Sequence, residues 1–193
     1  MSTGRTGIGP GPAAHLRLGP ASIESAEGSA LAHAQWRELL RRYRVPEDRQ
    51  GVTDGLAADH LAPPDGVFLV GWVDDTPVAC GGLRRHDATT AEIKRMYVVP
   101  EHRGCGYSRL VLRELEAQAR ARGYTGMVLE TGVEQPEAVA LYESEGYTRI
   151  AGYGFSRDNP SAWSYGKALA PDGPGQAGSK RTGSASGPRN ARP

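Results

Sequence analysis

A glycine-rich turn that leads from an apolar strand into a helix constrains this chain more than any other feature. The turn spans residues 98–108 (Val-Val-Pro-Glu-His-Arg-Gly-Cys-Gly-Tyr-Ser). Gly104 and Gly106 let consecutive backbone N–H groups converge on one point without a Cβ in the way. The helix that follows adds unsatisfied amides and the positive end of its dipole. We therefore expect a phosphate group to bind at this turn.

Two common phosphate-binding motifs do not fit these residues. A nucleotide P-loop needs Gly-Lys-Ser/Thr, and no such run follows the turn. A dinucleotide fingerprint needs a third glycine at the position where Arg109 stands. The pattern that remains is Arg103-x-x-Gly106-x-Ser108.

A second pattern lies further along the chain, on a predicted helix. Residues 135–147 (Gln-Pro-Glu-Ala-Val-Ala-Leu-Tyr-Glu-Ser-Glu-Gly-Tyr) have Pro136 in the first helical turn and Gly146 at the C-terminal end. Between the two patterns, apolar residues at helical spacing predict an amphipathic helix over 108–122. A short buried strand is predicted at 127–129.

Together the two patterns resemble the GNAT superfamily of acetyl-CoA-dependent N-acyltransferases. The first is similar to its Arg/Gln-x-x-Gly-x-Gly/Ala signature, with Ser108 in place of glycine or alanine. The second is similar to Asn-x-x-Ala-x-x-Leu-Tyr-x-x-x-Gly-Phe/Tyr, with Gln135 in place of asparagine. The resemblance covers residues 16–169 and implies an α/β (α+β) fold. Its sheet would be mixed, mostly antiparallel and six- to seven-stranded, flanked by helices, with an acyl-CoA cleft between two splayed parallel strands.

The remaining pattern of the chain predicts the element order that this fold requires. The expected strands lie at residues 16–18, 67–73, 77–83, 92–98, 127–129 and 163–169, and the expected helices at 30–44, 53–61, 108–122 and 135–146. Short connections between the second, third and fourth strands favour antiparallel neighbours.

Composition divides the chain into one domain and two tails. Residues 1–14 and 171–193 are rich in Gly, Pro, Ser and Ala, cannot bury a core and are predicted to be disordered. The second tail is also basic. Residues 15–170 form the predicted N-acetyltransferase domain.

Charge and hydropathy exclude several classes of partner. A net charge of +1 gives no general attraction to nucleic acid. No apolar run approaches the ~18 residues of a membrane span, and the N-terminus lacks the apolar segment of a signal peptide, so we expect a cytoplasmic protein. Cys80 and Cys105 have no metal-binding or redox spacing, and we expect no metal. A homodimer is a further expectation, because dimers are common in the resembled family.

The resemblance also implies where acetyl-CoA, the cosubstrate, would bind. The strand before the turn would carry a bulge, and its backbone would bind the pantetheine arm and donate one amide to the thioester oxygen. Main-chain N–H groups of the turn would hold the diphosphate. The candidate cosubstrate-binding residues are Met96, Tyr97, Val98, Arg103, Gly104, Cys105, Gly106, Tyr107, Ser108, Arg109 and Gln135.

Three side chains are candidates for proton transfer. The family tyrosine that protonates the departing thiolate corresponds to Tyr142. The attacking amine has to lose a proton, because an alkyl ammonium has a pKa near ~10.4. Glu92 is the leading base, since it lies eleven residues before Arg103, where histone-type lysine acetyltransferases keep a glutamate; it could instead pair with Lys94. Glu130 is the alternative base or ammonium ligand, and a water relay is a third option.

These expectations define an acetyl-CoA-dependent N-acetyltransferase. It would move an acetyl group to a primary amine, of a small molecule in preference to a peptide or protein, by direct attack in a ternary complex. The alternative is a non-catalytic acyl-CoA-binding sensor or regulatory module, which the joint presence of Tyr142, Glu92 and Glu130 disfavours. The segments 37–61 and 152–163, which would form the acceptor pocket, match no substrate signature, so the acceptor and the acyl-chain preference stay open.

Overall fold

Seven strands form one mixed sheet in the part of the chain that the structure, a computed structural model, describes: residues 15–46, 56–154 and 157–170. The strands are β1 (Arg17–Pro20), β2 (Val67–Val73), β3 (Thr76–Arg85), β4 (Thr90–Val98), β5 (Gly126–Gly132), β6 (Thr148–Arg149) and β7 (Ala162–Ala168). Their order across the sheet is β1-β2-β3-β4-β5-β7-β6. Every neighbouring pair is antiparallel except β4 and β5, which run parallel. The predicted fold class is confirmed.

Three α-helices cover the sheet within the described residues. They are α1 (Ala26–Arg42), α2 (Tyr107–Ala121) and α3 (Pro136–Ser144). Helix α1 begins one turn earlier than predicted, because the Ser25 hydroxyl accepts a hydrogen bond from the Gly28 N–H at 3.1 Å and caps the helix. None of these helices is long and apolar enough to cross a membrane.

The helix expected over residues 53–61 is not present as an α-helix in the described residues. Only Ala58–Leu61 is helical, as a single 3₁₀ turn, and residues 47–55 lie outside the description. A second 3₁₀ turn, Pro100–His102, leads into the glycine-rich turn. The predicted tails, residues 1–14 and 171–193, also lie outside the described residues.

The two faces of the sheet carry separate hydrophobic clusters. On one face Val111, Leu112 and Leu115 of α2 are fully buried, together with the inward residues of β2 to β5. On the other face Leu31 of α1 packs with Phe68 and neighbouring strand residues. Full burial of each large aliphatic side chain contributes ~1.5–3 kcal/mol, so both helices are held firmly on the sheet.

A bulge interrupts β4 in its middle. Cys80 pairs with Tyr97 while Gly82 pairs with Lys94, so β4 has one more residue than β3 across this stretch. Arg95 takes up the extra length with a φ of +58°, a left-handed conformation that is uncommon for a residue other than glycine. The bulge redirects the last residues of β4.

Strands β4 and β5 pair over only part of their length. Residues 90–93 of β4 are in register with 126–129 of β5, and we call these the paired half. Residues 94–98 and 130–132 continue their strands without pairing to each other, and we call them the splayed half. The splay between two parallel strands, expected from the sequence, is therefore present and begins at the bulge.

Candidate functional site

A cleft of about 400 Å³ opens at the splayed half of β4 and β5. Its walls are the end of both strands, the glycine-rich turn, the first turns of α3 and one face of α1. Of the residues selected from the sequence, the cleft is lined by Met96, Tyr97, Val98, Arg103, Gly104, Gly106, Tyr107, Ser108, Glu130, Gln135 and Tyr142. Cys105, Arg109 and Glu92 are outside this lining.

The glycine-rich turn has the geometry of an anion site. Gly104 and Gly106 have φ values of +77° and +79°, and a Cβ built on either would meet no atom within 4 Å. Gly106 is the N-cap of α2; no side chain caps the helix there, and its first turn contains no acidic residue. The first-turn amides and the helix dipole are thus directed at the cleft, where they favour a phosphate.

Arg103 binds protein groups on both sides of the turn. Its Nε donates to the Val98 carbonyl at 2.9 Å, and its Nη2 donates to Glu38 Oε2 of α1 at 2.6 Å. The guanidinium also lies 5.6 Å from the centre of the Tyr97 ring. The side chain therefore connects the turn to β4 and to α1.

Cys105 and Arg109 lie away from the cleft. The Cys105 side chain is exposed. Arg109 Nε donates to Glu145 Oε1 at 2.6 Å, and its Nη2 donates to the Ser144 hydroxyl at 3.1 Å. Because Glu145 follows the end of α3, Arg109 links α2 to α3 next to the site.

Tyr142 is buried in the wall that α3 contributes. Only 6% of the residue is exposed, and its ring makes an edge contact with Tyr147, with 5.8 Å between the centroids. Burial raises the pKa of the Tyr142 phenol above its usual range. The phenol therefore keeps its proton at neutral pH and can act as a hydrogen-bond donor or acid.

Glu92 is buried in the paired half, and its carboxylate is occupied by protein donors. Arg84 Nε lies 2.6 Å from Oε2, Lys94 Nζ lies 2.7 Å from Oε1, and the Tyr153 hydroxyl donates to Oε1 at 3.1 Å. A carboxylate has about four lone-pair positions, so most of its accepting capacity is used. The side chain that sequence reasoning preferred as a base thus forms the centre of a buried ionic cluster.

Glu130 stands one strand away from Glu92 and lines the cleft. Its Oε2 lies 3.9 Å from Lys94 Nζ, and 17% of its side chain is exposed. In β5 the neighbouring Leu129 faces the α2 side of the sheet. Since successive side chains of a strand alternate, Glu130 faces the α1 side.

Helix α1 contributes residues that sequence reasoning did not select for the site. Gln35, Glu38, Leu39 and Arg42 line the cleft. Their spacing of three and four residues places them on one helix face, and the repeat of the polar members Gln35, Glu38 and Arg42 was the signal that the sequence offered. The predicted acceptor segment 37–61 includes all of them except Gln35.

An ionic network crosses the cleft wall from α1 to α3. Glu38 accepts from Arg103 and lies 2.7 Å from Arg42 Nη2, and Arg42 also pairs with Glu137 of α3. Burial disfavours the charged form of Glu38, but hydrogen bonds and charges from Arg103 and Arg42 outweigh it and lower the pKa of the Glu38 carboxyl. The network fixes α1 against the turn and α3.

Buried oxygens in the cleft wall lack protein partners. Gln35 Oε1 and Thr131 Oγ1 have no hydrogen-bond partner within residues 15–46, 56–154 and 157–170. Buried polar atoms are nearly always hydrogen-bonded in native structures, so such atoms in a cleft indicate a ligand. The same ranges contain no group of His, Cys, Asp or Glu side chains suited to a metal ion.

A bulged strand, a parallel splay and a glycine-rich turn at the start of a helix together define an acyltransferase architecture. The profile of the Acetyltransferase (GNAT) family matches residues 32–147. The chain belongs to this family.

Individual relatives agree with this assignment. An "IAA acetyltransferase" of Azospirillum brasilense is 39% identical over 95 residues, which are 49% of this chain and 62% of the relative's length. A solved structure from Klebsiella pneumoniae, classed as an acyl-CoA N-acyltransferase, has 28% identity and a TM-score of 0.66 and covers 81% of this chain and 99% of that one. A GNAT acetyltransferase of Elizabethkingia anophelis, solved with acetyl-CoA bound, has 16% identity and a TM-score of 0.58 over 80% of this chain and 98% of that one. This last similarity shows the fold alone.

Proposed function

We propose that this protein transfers the acetyl group of acetyl-CoA to a primary amine by direct attack in a ternary complex. The observation that carries the proposal is the single cleft that joins the glycine-rich turn, the bulged half of β4 and Tyr142. The turn would bind the diphosphate of acetyl-CoA, the bulged half of β4 would bind the pantetheine, and Tyr142 would protonate the departing thiolate. The bound acetyl-CoA in the E. anophelis relative supports the choice of cosubstrate.

The diphosphate would lie on the turn at the N-terminus of α2. There the left-handed Gly104 and Gly106 leave open space where a side chain would otherwise stand. The pantetheine arm would follow the backbone of Met96 and Tyr97, because the splay releases the β4 groups that face β5 from strand pairing. An amide of the bulge would donate to the thioester oxygen as negative charge develops on it.

The reaction would form one bond and break another. The amine, an ammonium ion in neutral solution, first gives a proton to a carboxylate or to water. The neutral nitrogen then attacks the thioester carbon, the new N–C bond forms, and the C–S bond breaks. Tyr142 gives its proton to the departing thiolate. The nitrogen, which carries a positive charge after the attack, loses a proton to a carboxylate or to water.

We assign the acceptance of that proton to Glu130, directly or through water. Glu130 lines the cleft, whereas Glu92 lies outside the lining with Arg84, Lys94 and Tyr153 around its carboxylate. Glu92 then has an indirect role, since it holds Lys94, which lies between the two carboxylates. This ranking reverses the one that the sequence suggested.

A small amine is the favoured acceptor. The cleft volume of about 400 Å³ has to hold the acyl-pantetheine end of the cosubstrate as well as the acceptor. Typical ligand clefts in proteins range from about 300 to 1,000 Å³, so the space left for the acceptor is limited.

The test combines a binding measurement with a turnover measurement on the full chain. Calorimetric titration with acetyl-CoA should give saturable binding, and a panel of amines, amino acids and short peptides should include acceptors that release CoA. Binding without CoA release from any member of the panel would replace the enzyme by an acyl-CoA sensor. Absence of binding would refute the assignment of the cleft.

A further inference from the structure

Gln35 is placed where α1 meets the bulge of β4. Its side-chain Nε2 donates to the Met96 carbonyl oxygen at 3.2 Å. A carbonyl oxygen can only accept, so the amide nitrogen of Gln35 has to face Met96 and the amide oxygen has to face the other way. The orientation of this side chain is therefore fixed by its partner.

The amide oxygen of Gln35 is the group in need of an explanation. Gln35 Oε1 is buried and has no hydrogen-bond partner in the described ranges of the chain, and the residue lines the cleft beside Met96 and Tyr97. A buried acceptor is costly to leave unsatisfied, and native proteins rarely do so unless a ligand completes the contact. The missing partner has to be an N–H or O–H donor that enters the cleft at the bulge.

The faces of the sheet indicate which part of a ternary complex supplies that donor. Gln35 belongs to α1, and Glu130 also faces the α1 side of the sheet. Tyr142 packs in the hydrophobic cluster on the α2 side, where the thiolate would receive its proton. The amine attacks one face of the planar thioester, and the α1 side, where Gln35 and Glu130 lie, is the side away from Tyr142. The donor that reaches Gln35 is therefore the amine.

We propose that Gln35 Oε1 and the Glu130 carboxylate form the acceptor-amine subsite. A neutral primary amine has two N–H groups and one lone pair. With one N–H donated to Gln35 and the other to Glu130, the lone pair is left for the thioester carbon. This inference rests on the proposed amine acetylation and adds a residue that holds the acceptor and selects its class.

The arrangement distinguishes unsubstituted primary amines from N-alkyl amines. An N-methyl amine has a single N–H in its neutral form, so it cannot donate to Gln35 and to Glu130 at the same time. Sites that hydrogen-bond a substrate group reject analogues that lack the group, because their own polar atoms are then left unpaired. The substrate class is therefore the primary amine, and Gln35 accounts for part of the preference.

The test compares a primary amine with its N-methyl analogue in the parent and in Gln35→Met. Methionine keeps the length of the side chain but removes both the donor to Met96 and the buried acceptor. The parent should prefer the primary amine in kcat/KM, and Gln35→Met should reduce this preference roughly 10-fold, the worth of one hydrogen bond. KM for the amine should rise, while the acetyl-CoA Kd stays within about 2-fold in the same comparison. The ratio between two amines does not depend on the folded fraction.

A matched control is Gln118→Met on α2. Gln118 is also a helical glutamine with side-chain hydrogen bonds, to Glu114 and Arg122, but it is outside the cleft lining. This variant should keep the parent's preference between the two amines. Any effect that both variants share would be caused by the loss of a helical glutamine in general, and not by the position of Gln35 in the cleft.

The outcomes separate this inference from the proposed function. If the parent acetylates amines and Gln35→Met keeps the parent's preference, the acceptor subsite is refuted and the proposed function stands. If Gln35→Met instead weakens acetyl-CoA binding and leaves the preference unchanged, Gln35 serves the cosubstrate and the inference is also refuted. If the parent releases no CoA with any amine, both statements fail together.

Discussion

The paired and splayed halves of β4 and β5 differ in whether their polar groups have partners within the protein. In the paired half the backbone is hydrogen-bonded strand to strand, and Glu92 is enclosed by Arg84, Lys94 and Tyr153. In the splayed half the strands part. The buried Thr131 Oγ1 of this half, and Gln35 Oε1 of the neighbouring α1, lack partners among the described residues. Protein groups therefore satisfy the polar groups of the paired half, whereas acceptors at the splayed half are open to the ligand that we propose.

This difference decides between two glutamates that look alike in the sequence. Both are strand residues close to Lys94. Glu92 is buried and pairs with the partly buried Arg84 and Lys94, whereas Glu130 lines the cleft, and for this reason we propose Glu130 as the proton acceptor. Our ranking of the two carboxylates therefore rests on burial and partners, and not on distance from a motif.

The largest effect is expected at the glycine-rich turn. Gly106→Glu would add bulk and a negative charge where the diphosphate is expected, so calorimetry should show no saturable binding of acetyl-CoA. If this variant bound acetyl-CoA as tightly as the parent, the cleft at the splayed half would not be the cosubstrate site. The functional difference between the two halves would then be refuted.

Gly123→Glu is the matched control for this substitution. Gly123 also has a positive φ, +84°, with no atom within 4 Å of an added Cβ, but it follows α2 and lies outside the cleft lining. Both variants carry the same charge and a similar backbone strain of ~1–2 kcal/mol. Only the substitution at Gly106 should weaken acetyl-CoA binding.

The next largest effect is expected at Glu130. Glu130→Gln keeps the volume but removes the proton acceptor, so kcat/KM for the amine should fall by ~10²–10⁴-fold and the acidic limb of its pH profile should flatten. Acetyl-CoA affinity should stay near the parent value. If Glu130→Gln kept the parent's rate and pH profile, Glu130 would not be the proton acceptor.

Glu92→Gln should lower stability more than it lowers catalysis. Its loss leaves Arg84 and Lys94 close together in a buried cluster without the shared counter-charge, and breaking a buried ion pair typically costs about 3–5 kcal/mol. Urea unfolding should show this loss, while the kcat/KM of the folded fraction changes little. The exposed Glu24→Gln should shift stability by no more than about 0.5 kcal/mol. A stable but inactive Glu92→Gln would restore Glu92 as the base.

The smallest effect concerns Glu38, which joins α1 to the splayed half. Its folded-state pKa lies below the unfolded value, so its charge stabilises the native state above about pH 4.3, the unfolded pKa. That contribution is lost as the pH falls through the lowered folded value. Glu38→Gln should therefore destabilise by ~1–2 kcal/mol at pH 7, with a smaller difference from the parent at pH 4. A difference that grows towards acid pH would contradict the assigned ion pairs.

The sequence predicted those parts of the fold that depend on local patterns. The bounds of β2 were predicted to the residue, and α2 and α3 to within two residues at each end, because helical periodicity, Pro136 and Gly146 act locally. The glycine-rich turn was found for the same reason. Its two glycines predict a left-handed backbone, and the structure has positive φ values at both.

The remaining parts depend on contacts between distant segments. Gln35 and Glu38 join the site only because α1 docks beside the bulge, 61 and 65 residues away in sequence from their partners Met96 and Arg103. No local pattern reports such a contact. The position of Arg95 in the bulge and the enclosure of Glu92 likewise follow from how β3 and β4 meet. Most of the residues predicted to bind the cosubstrate line the cleft, whereas the sequence did not single out the α1 residues that form its other wall.

Residue-resolved amide exchange with and without saturating acetyl-CoA tests the central claim most directly. Backbone N–H groups of the splayed half of β4 and of residues 104–108 should exchange more slowly when acetyl-CoA is bound, because they would hold its pantetheine and diphosphate. Residues 90–93 and 126–129, already paired, should change little. Unchanged exchange in residues 94–98 and 104–108 at saturation would contradict the assignment of the splayed half as the acyl-CoA site.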